Sequence, residues 1–297
     1  MQLTRPKFFL YVFLRVYIFL LSKGVGRLPK VKGIFYSVYK KIKNKKGVVL
    51  INANNYRMYI DLADQVISTH LLQHGVWEEG VTKFVKKILS AGMTAVDCGA
   101  HVGYYSLLFS KLVKDGKVFS FEPDPYNFEI LKQNIALNGC RNVVLEKLAI
   151  SDKTGYAQFF LNEDNLGAHS IISQPNFKDR IEVKTIRLDD YFANWNAPID
   201  LIKMDIEGAE FIALGGMPKI MQSGSLSIIM EFFPEMIIKN GGNPVELINR
   251  LRSAGMNLFI IHPETGNPEP ANDARELINL CRGGLFNLFC TKKSYNP

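Results

Sequence analysis

The stretch MTAVDCGAHVGYYSLLFSKL, about a third of the way along the chain, constrains the fold more than any other segment. An apolar strand at 94–97 leads into a glycine-containing turn at 98–103, and an apolar helix follows at 104–112. A strand, a glycine turn and a helix in this order are typical of a nucleotide-binding corner. We therefore expect a Rossmann-like α/β domain in which Gly99 and Gly103 let the backbone approach a ligand closely.

The acidic residues around this corner favour one class of ligand. The spacing is D-x-G-x-x-x-G rather than the dinucleotide pattern G-x-G-x-x-G, and Asp97 at the strand end would repel an isolated pyrophosphate. The next strand, 117–122, ends in Glu122, and a carboxylate at that place suits the two hydroxyls of a ribose. A cationic ligand that has a ribose but no phosphate points to S-adenosylmethionine, and the spacing disfavours a nicotinamide dehydrogenase.

Apolar segments continue to alternate along the rest of the chain. The strands are expected at 142–150, 199–204, 226–231, 256–262 and 285–291, with helices at 125–137 and 244–254 and a further helix starting near Glu207. This alternation predicts a doubly wound seven-stranded sheet with helices on both faces. The last strand follows a long loop with no crossover helix, so we expect it to be antiparallel. An insertion at about 155–192 contains two expected strands and a polar segment that would cover the site or contact the substrate.

The N-terminal residues differ from the body of the protein. Residues 1–46 carry 12 Lys and Arg and no acid, and they include the apolar run FFLYVFLRVYIFLL at 8–21, which is too short to span a bilayer comfortably. We interpret this arm as an interfacial membrane anchor, with a buried helix followed by a basic tail as the alternative. Residues 47–92 are predicted to form a hairpin and helices that pack on the core domain, 93–297. Glu78 and Glu79 begin one of these helices, where they either complement its dipole or line the cofactor site.

Charge and cysteine content restrict the partners and the compartment. Without the arm the chain has 24 basic and 28 acidic residues, a net charge of −4, which argues against a broad nucleic-acid surface. The four cysteines are scattered without a C-x-x-C pair, so we expect no zinc site and reduced thiols. These features predict a cytoplasmic protein that contacts the cytoplasmic face of a membrane through its arm.

Several motifs together resemble those of the FkbM-type methyltransferases. The segments DCGAHVGYYS, FEPDPYNFEILKQNIALNG, AISD, KMDIEGAEF and IIMEFFPE occur in the order and spacing of that family, with the resemblance strongest over 60–235. One departure is His101, where the family commonly has Asn. The resemblance implies a class I methyltransferase fold and methyl transfer from S-adenosylmethionine to a hydroxyl, on a glycan or small-molecule acceptor that it does not identify.

The cofactor is assigned to the strand ends and to the turns that follow them. Asp97 and Glu122 are expected at its methionine and ribose ends. The other predicted contacts are Gly99, Ala100, His101, Gly103, Pro123, Ala149, Asp152 and Asp205. For Asp152 the alternatives are a contact with the adenine amino group and an ordinary turn residue.

A second cluster of acidic residues is the candidate catalytic site. Asp205 ends strand 199–204, where it can contact the cofactor or acceptor, cap the following helix, or do both. Glu207 is a further catalytic candidate and Glu210 a structural one. The same three carboxylates could hold a divalent cation, but we assign no metal site. His169 in the insertion and Glu231 at the end of strand 226–231 are alternative general bases.

Two other functions remain open at this point. An N-methyltransferase acting on RNA or protein would be expected to have a basic acceptor face, or an Asn/Asp-Pro-Pro-Tyr-like motif where this chain has Asp-Ile-Glu-Gly, at 205–208. A membrane-tethered binding module would keep the cofactor pocket but have no base for the acceptor.

Overall fold

The computed structural model describes a body that begins at residue 47. The described residues are Val16 together with 47–64, 66–161, 170–171, 179–271, 273–281 and 284–295. The predicted membrane arm therefore lies outside the described residues except for Val16, and so does most of the polar segment of the insertion. Within the part that is described, no helix combines the length and the apolar character needed to cross a membrane.

The chain divides into two compact units at residues 77 and 78. The described part of the first unit contains a hairpin and one helix: β1 (Val48–Ala53), β2 (Tyr56–Asp61) and α1 (Ile67–His74). Asn54 and Asn55 form the turn with positive φ angles of 48° and 68°, which suits a tight hairpin connection. The predicted hairpin is thus present, whereas its packing on the core domain stays a prediction.

The second unit is built on one mixed sheet. Its strands are β3 (Thr94–Cys98), β4 (Lys117–Phe121), β5 (Val143–Glu146), β9 (Leu201–Met204), β10 (Ser227–Phe232), β11 (Asn257–Ile261), β12 (Pro268–Pro270) and β13 (Phe286–Thr291). They lie in the order β12-β11-β13-β10-β9-β3-β4-β5. Every residue of β3 and β9 is buried, as expected for central parallel strands covered on both sides.

Helices connect these strands. They are α2 (Glu79–Ile88), α3 (Tyr104–Val113), α4 (Pro125–Leu137), α6 (Glu210–Gly215), α7 (Pro234–Lys239), α8 (Pro244–Ser253) and α9 (Ala274–Leu280). The crossovers from β3 to β4 and β5 run in one direction along the sheet, and those from β9 to β10 and β11 run in the other. Because such crossovers are right-handed, the two sets of helices cover opposite faces. This is the class I methyltransferase fold.

The last long strand confirms one prediction and corrects two details. β13 is antiparallel to both neighbours, β10 and β11, as expected. Among the described residues the sheet has eight strands rather than seven, because the three residues of β12 pair with β11 at the edge. Helix α9 lies between β12 and β13, where the sequence predicted a loop without a helix.

The predicted strand 142–150 is two strands in two different sheets. β5 ends at Glu146, and the chain leaves the main sheet before β6 (Ala149–Ile150). β6 joins a separate three-stranded sheet with β7 (Gly155–Leu161) and β8 (Asp179–Ile186), in the order β6-β8-β7. Because β5 is the edge strand of the main sheet, no neighbour beyond it holds the chain in register there.

Two predicted element boundaries are wrong for local reasons. The segment after β8 turns into a short helix, α5 (Leu188–Tyr191), rather than extending the strand to residue 192. The Asp189 carboxylate accepts the backbone N–H groups of Lys219 and Ile220, which fixes this turn against the chain that follows α6. The helix expected near Glu207 begins at Glu210, because Glu207 and Gly208 are left-handed, with φ angles of 56° and 87°.

Candidate functional site

The predicted acidic residues meet where the sheet changes direction. β3 and β9 are adjacent parallel strands from which the crossovers diverge, and ligands of open α/β sheets bind in the crevice at the carboxyl ends of such strands. Asp97 lies in β3 opposite Lys203 of β9, Asp205 follows β9, and Glu122 follows β4. The sheet topology therefore brings these carboxylates together at the carboxyl-terminal ends of the central strands.

Asp97 is held in place by the helix that follows its strand. Its side chain is buried, and its Oδ2 accepts the Ser106 hydroxyl of α3 at 2.6 Å. Burial raises the pKa of Asp97 to about 6, while the Ser106 bond and the charge of Lys203 act in the opposite direction. Ser106 was not predicted as a site residue, although a hydroxyl in the first turn of the helix after the glycine turn was a usable signal.

Glu122 is fixed by two backbone amides. The N–H of His101 donates to Oε2 and the N–H of Asp124 donates to Oε1, each at 2.8 Å. Each carboxylate oxygen has a second lone pair, so the pair can still accept two hydroxyl groups. Burial, followed by the charge of Asp124, raises the pKa of Glu122 to about 8.

This raised pKa predicts how stability changes with pH. A carboxyl whose pKa rises from 4.5 to about 8 on folding stabilises the protein below pH 4.5 and loses that contribution as the pH rises through 8. Glu122→Gln loses one of the two backbone hydrogen bonds but does not titrate, so its stability relative to wild type is expected to rise by about 3–5 kcal/mol between these limits. Urea unfolding at pH 5 and pH 8 measures this difference, with exposed Glu182→Gln as the control. If the two variants follow the same pH dependence, Glu122 is ionised in the folded protein at neutral pH.

The glycines of the turn are required by contacts within the chain. A Cβ on Gly99, whose φ is 82°, would lie 1.9 Å from the carbonyl oxygen of Asp205. A Cβ on Gly103, whose φ is 92°, would lie 2.6 Å from Leu131 of α4. The close approach at Gly99 that the structure shows is to the backbone after β9, and its contact with a ligand stays a prediction. Gly103 allows α3 to lie against α4.

A buried lysine lies beneath the crevice. The Lys203 side chain is 2% exposed, and its Nζ lies 2.8 Å from Oδ2 of Asp205 and 3.5 Å from Oε2 of Glu78. The ammonium also lies 4.4 Å from the centre of the Tyr105 ring. Burial lowers the pKa of Lys203, but the two carboxylates outweigh this effect and hold it above its ordinary value. Lys203 is therefore a permanent cation at the base of the site.

Glu78 belongs to this cluster, and it is one of the two glutamates for which the sequence left open a helix-dipole role or a place at the cofactor site. It precedes α2, and its carboxylate accepts the Tyr105 hydroxyl at 2.8 Å and the Asn287 amide at 2.6 Å. Glu79, by contrast, forms an exposed ion pair with Lys83. Of the two glutamates, it is Glu78 that contacts the lysine of the site and Glu79 that lies in the first turn of the helix.

The acidic turn after β9 is not the helix cap that was considered for Asp205. The N-cap residue of α6 is Ala209, and the side chain of Glu210 accepts the backbone N–H of Ile206 at 3.0 Å. Glu210 thus closes the turn, as expected for a structural residue. Burial and the neighbouring charges of Asp205 and Glu210 raise the pKa of Glu207 to about 8.

Glu231 adds another carboxyl group to the same cluster. It lies in β10, directly opposite Asn287 of β13, whose amide also contacts Glu78. Burial, followed by the charges of Asp205 and Glu207, raises its pKa well above the ordinary value. Burial and the neighbouring carboxylates thus act in the same direction on Glu231 and Glu207, and both disfavour the charged form. Among the described residues, no group of three or more His, Cys, Asp or Glu is arranged to hold a metal ion.

The remaining predicted cofactor contacts fall into two groups, one near the end of β4 and one near the small sheet. Ala100 donates its N–H to the Phe121 carbonyl at 2.9 Å, next to half-buried Pro123. Ala149 is buried in β6, and exposed Asp152 lies beside Gly215 at the end of α6. Both belong to the segment of the small sheet rather than to the carboxyl end of β5, and their contact with a cofactor stays a prediction.

The insertion contains the last predicted site residue, His169. His169 lies outside the described residues, so its role as a base also stays a prediction. Its neighbour Ser170 is buried and donates its hydroxyl to the Glu207 carbonyl at 3.2 Å. A part of the insertion thus contacts the acidic turn after β9.

Comparison with known proteins identifies relatives of this chain. The family described as Methyltransferase FkbM domain matches residues 97–257, more than half of the chain. The methyltransferase sdnD of Sordaria araneosa is 24% identical, over 41% of this chain and 59% of the relative. The 2-O-methyltransferase NoeI of Sinorhizobium fredii is 31% identical, over 41% of this chain and 56% of the relative.

A solved structure of the same family name is also similar. The crystal structure of Methyltransferase FkbM from Methylobacillus flagellatus is 17% identical and has a TM-score of 0.44, covering 68% of this chain and 44% of that chain. The match to this chain spans less than two thirds of each of the two curated relatives.

Proposed function

Because the chain belongs to the FkbM methyltransferase family, we propose that it transfers a methyl group from S-adenosylmethionine to a hydroxyl of a saccharide or another small metabolite. The observation that carries this proposal is the meeting of Asp97, Glu122 and Asp205 at the point where the crossovers diverge from the sheet. The name of one relative, a 2-O-methyltransferase, supports hydroxyl as the acceptor group.

The residues present suit S-adenosylmethionine. Glu122 is fixed by two amides at the end of β4, and its oxygens can accept the two hydroxyls of a ribose. Asp97 and Asp205 carry the negative charge that a cationic ligand requires, and no phosphate-binding array of glycine amides is needed. When bound, the cofactor supplies an electrophilic methyl group on a sulfonium.

The chain's own residues would orient the acceptor and accept its proton. Asp205 is about a quarter exposed, and its Oδ2 pairs with the Lys203 ammonium, so the open side of this carboxylate would be positioned to take the proton of an incoming hydroxyl. Glu207 and Glu231, whose pKa values are raised by burial and by neighbouring carboxylates, would donate hydrogen bonds to other acceptor oxygens in their protonated forms. These carboxyl groups provide both polarities of hydrogen bond that a polyol requires.

The first prediction from this proposal concerns the cofactor. Calorimetry is expected to detect S-adenosylmethionine binding at micromolar Kd, about −8 kcal/mol, and no binding of NAD. Binding of NAD without S-adenosylmethionine would reject the proposal.

The reaction is tested with a donor that carries a labelled methyl group. A panel of neutral sugars, amino sugars, peptides and RNA is incubated with the full chain, and the methylated atom is identified by NMR. Transfer to a sugar hydroxyl is the expected result. Transfer to nitrogen alone would support the N-methyltransferase alternative, and cofactor binding with no transfer to any compound would support a binding module.

We also propose that the protein is cytoplasmic and contacts a membrane through residues 1–46, which carry all the basic excess of the chain. The full chain is expected to sediment with anionic liposomes, and a variant without the arm is expected to stay in solution and still bind S-adenosylmethionine. Equal sedimentation of the two proteins would show that the arm is not the contact.

A further inference from the structure

Glu78 is held by groups from three separate elements of the fold. Tyr105 of α3 and Lys203 of β9 contact its Oε2 at 2.8 Å and 3.5 Å, and Asn287 of β13 contacts Oε1 at 2.6 Å. All three partners are donors, and together they fix the orientation of the carboxylate. A carboxylate that is fixed by Tyr105 and Asn287 in turn fixes the position of the Lys203 ammonium.

The backbone of Glu78 is in a conformation that disfavours any residue except glycine. Its φ is 41° and its ψ is 69°, and it makes no side-chain cap to α2. A non-glycine residue persists in this region only when the surrounding contacts impose it, and such residues concentrate at functional sites. The side-chain contacts of Glu78 offset this strain. Its side chain does not cap α2, so helix capping does not explain the conformation.

Lys203 connects Glu78 to the candidate base. The ammonium contacts both carboxylates, and Lys203 is 2% exposed whereas Asp205 is 26% exposed. Because the lysine is buried beneath Asp205, the exposed part of that carboxylate lies on the side away from the ammonium. Glu78 and Asp205 therefore share one cation, and the position of that cation determines where the open side of Asp205 lies.

We infer that Glu78 is a positioning residue for methyl transfer: it fixes Lys203, and through Lys203 it holds the Asp205 carboxylate toward the acceptor. This inference rests on the proposed function and adds a residue that neither the motifs nor the family match includes, since the match begins at residue 97. Without Glu78, Lys203 would keep only Asp205 as a contacting carboxylate, and both side chains would be free to shift.

The test replaces Glu78 by Gln and uses its neighbour as a matched control. Glu78→Gln is expected to lower kcat about 10- to 100-fold, because a displacement of about 1 Å in a reacting group has effects of this size. The KM for S-adenosylmethionine should change less than about threefold, since the lost interaction orients the base rather than the cofactor. Glu79→Gln, which removes the exposed ion pair with Lys83, should keep normal kinetics.

A double-mutant cycle separates positioning from stability. If Glu78 acts through Asp205, the Glu78→Gln change should have almost no further effect on kcat in an Asp205→Asn background. A residue that only stabilises the fold would lower the amount of active protein equally in both backgrounds. The active concentration is therefore measured for each variant from the stoichiometry of S-adenosylmethionine binding.

The possible results distinguish this inference from the proposed function. Non-additive kcat effects with normal stoichiometry support the inference. Normal kcat in Glu78→Gln, or full additivity with Asp205→Asn, overturns it while the proposed function stands. If the wild-type chain neither binds S-adenosylmethionine nor transfers a methyl group, the proposed function fails and the inference fails with it.

Discussion

Asp205→Asn is expected to lower turnover by about 100- to 10,000-fold, the usual contribution of a general base. Asn has the same shape and can still accept a hydrogen bond from Lys203, which lies 2.8 Å from the native carboxylate. The variant loses the charge and the ability to accept a proton. Because Ala209, not Asp205, occupies the N-cap of α6, the change should not weaken that helix.

The measurement compares the change in kcat with the change in cofactor affinity for two variants, Asp205→Asn and Asp97→Asn. In Asp205→Asn the Kd for S-adenosylmethionine should change much less than kcat. In Asp97→Asn the order should reverse, because Asp97 is buried at the end of β3 against Ser106 and faces the cofactor in our proposal. Near-normal turnover in Asp205→Asn would remove it as the base and leave His169 or Glu231 as the better candidate.

The sequence was sufficient to locate the parts of the site that local patterns determine. Asp97 and Asp205 follow or end apolar runs that are central strands, and Glu122 comes directly after another such strand. Because the carboxyl ends of parallel strands lie at one edge, knowing the strands was enough to place the three carboxylates together. The antiparallel last strand was also predicted correctly, although the connection before it contains helix α9, which the sequence had not indicated.

The cluster around Lys203 could not be predicted in this way. Glu78 and Asn287 are 209 residues apart, and their contact depends on how β13 inserts between β10 and β11. The adjacent pair Glu78 and Glu79 looks uniform in the sequence, but the left-handed backbone at Glu78 directs the two side chains to different environments. When a residue other than glycine adopts a left-handed conformation, its identity in the sequence gives no indication of it.

The boundaries that were wrong have two different physical causes, neither of which is visible in the local sequence pattern. The start of α6 is delayed because Glu207 and Gly208 adopt left-handed conformations, which a helical pattern of side chains does not reveal. The strand predicted across 142–150 is apolar enough to continue, but its two halves pair with different partners, β4 and β8. Pairing partners are set by the tertiary structure, and local propensity does not determine them.

Gly99→Ala is expected to destabilise the protein by more than about 4 kcal/mol, in the range seen only for severe steric or backbone defects. The new Cβ would lie 1.9 Å from the Asp205 carbonyl oxygen and 3.2 Å from Ile206. That carbonyl cannot move away freely, because the N–H of Asp205 donates to the Cys98 carbonyl at 3.1 Å and continues the pairing of β3 with β9. The clash therefore falls between the two central strands, at the edge where the site lies.

Gly139→Ala provides the matched control for this prediction. Gly139 is also left-handed, with a φ of 65°, but a Cβ there would meet nothing within 4 Å. Its substitution should cost only the backbone penalty, about 1–2 kcal/mol. Urea unfolding of both variants measures the difference, which isolates the contact with Asp205 from the conformational preference of glycine. Equal losses in the two variants would mean that β3 and β9 separate easily at this point, and that Gly99 is required only for its backbone angles.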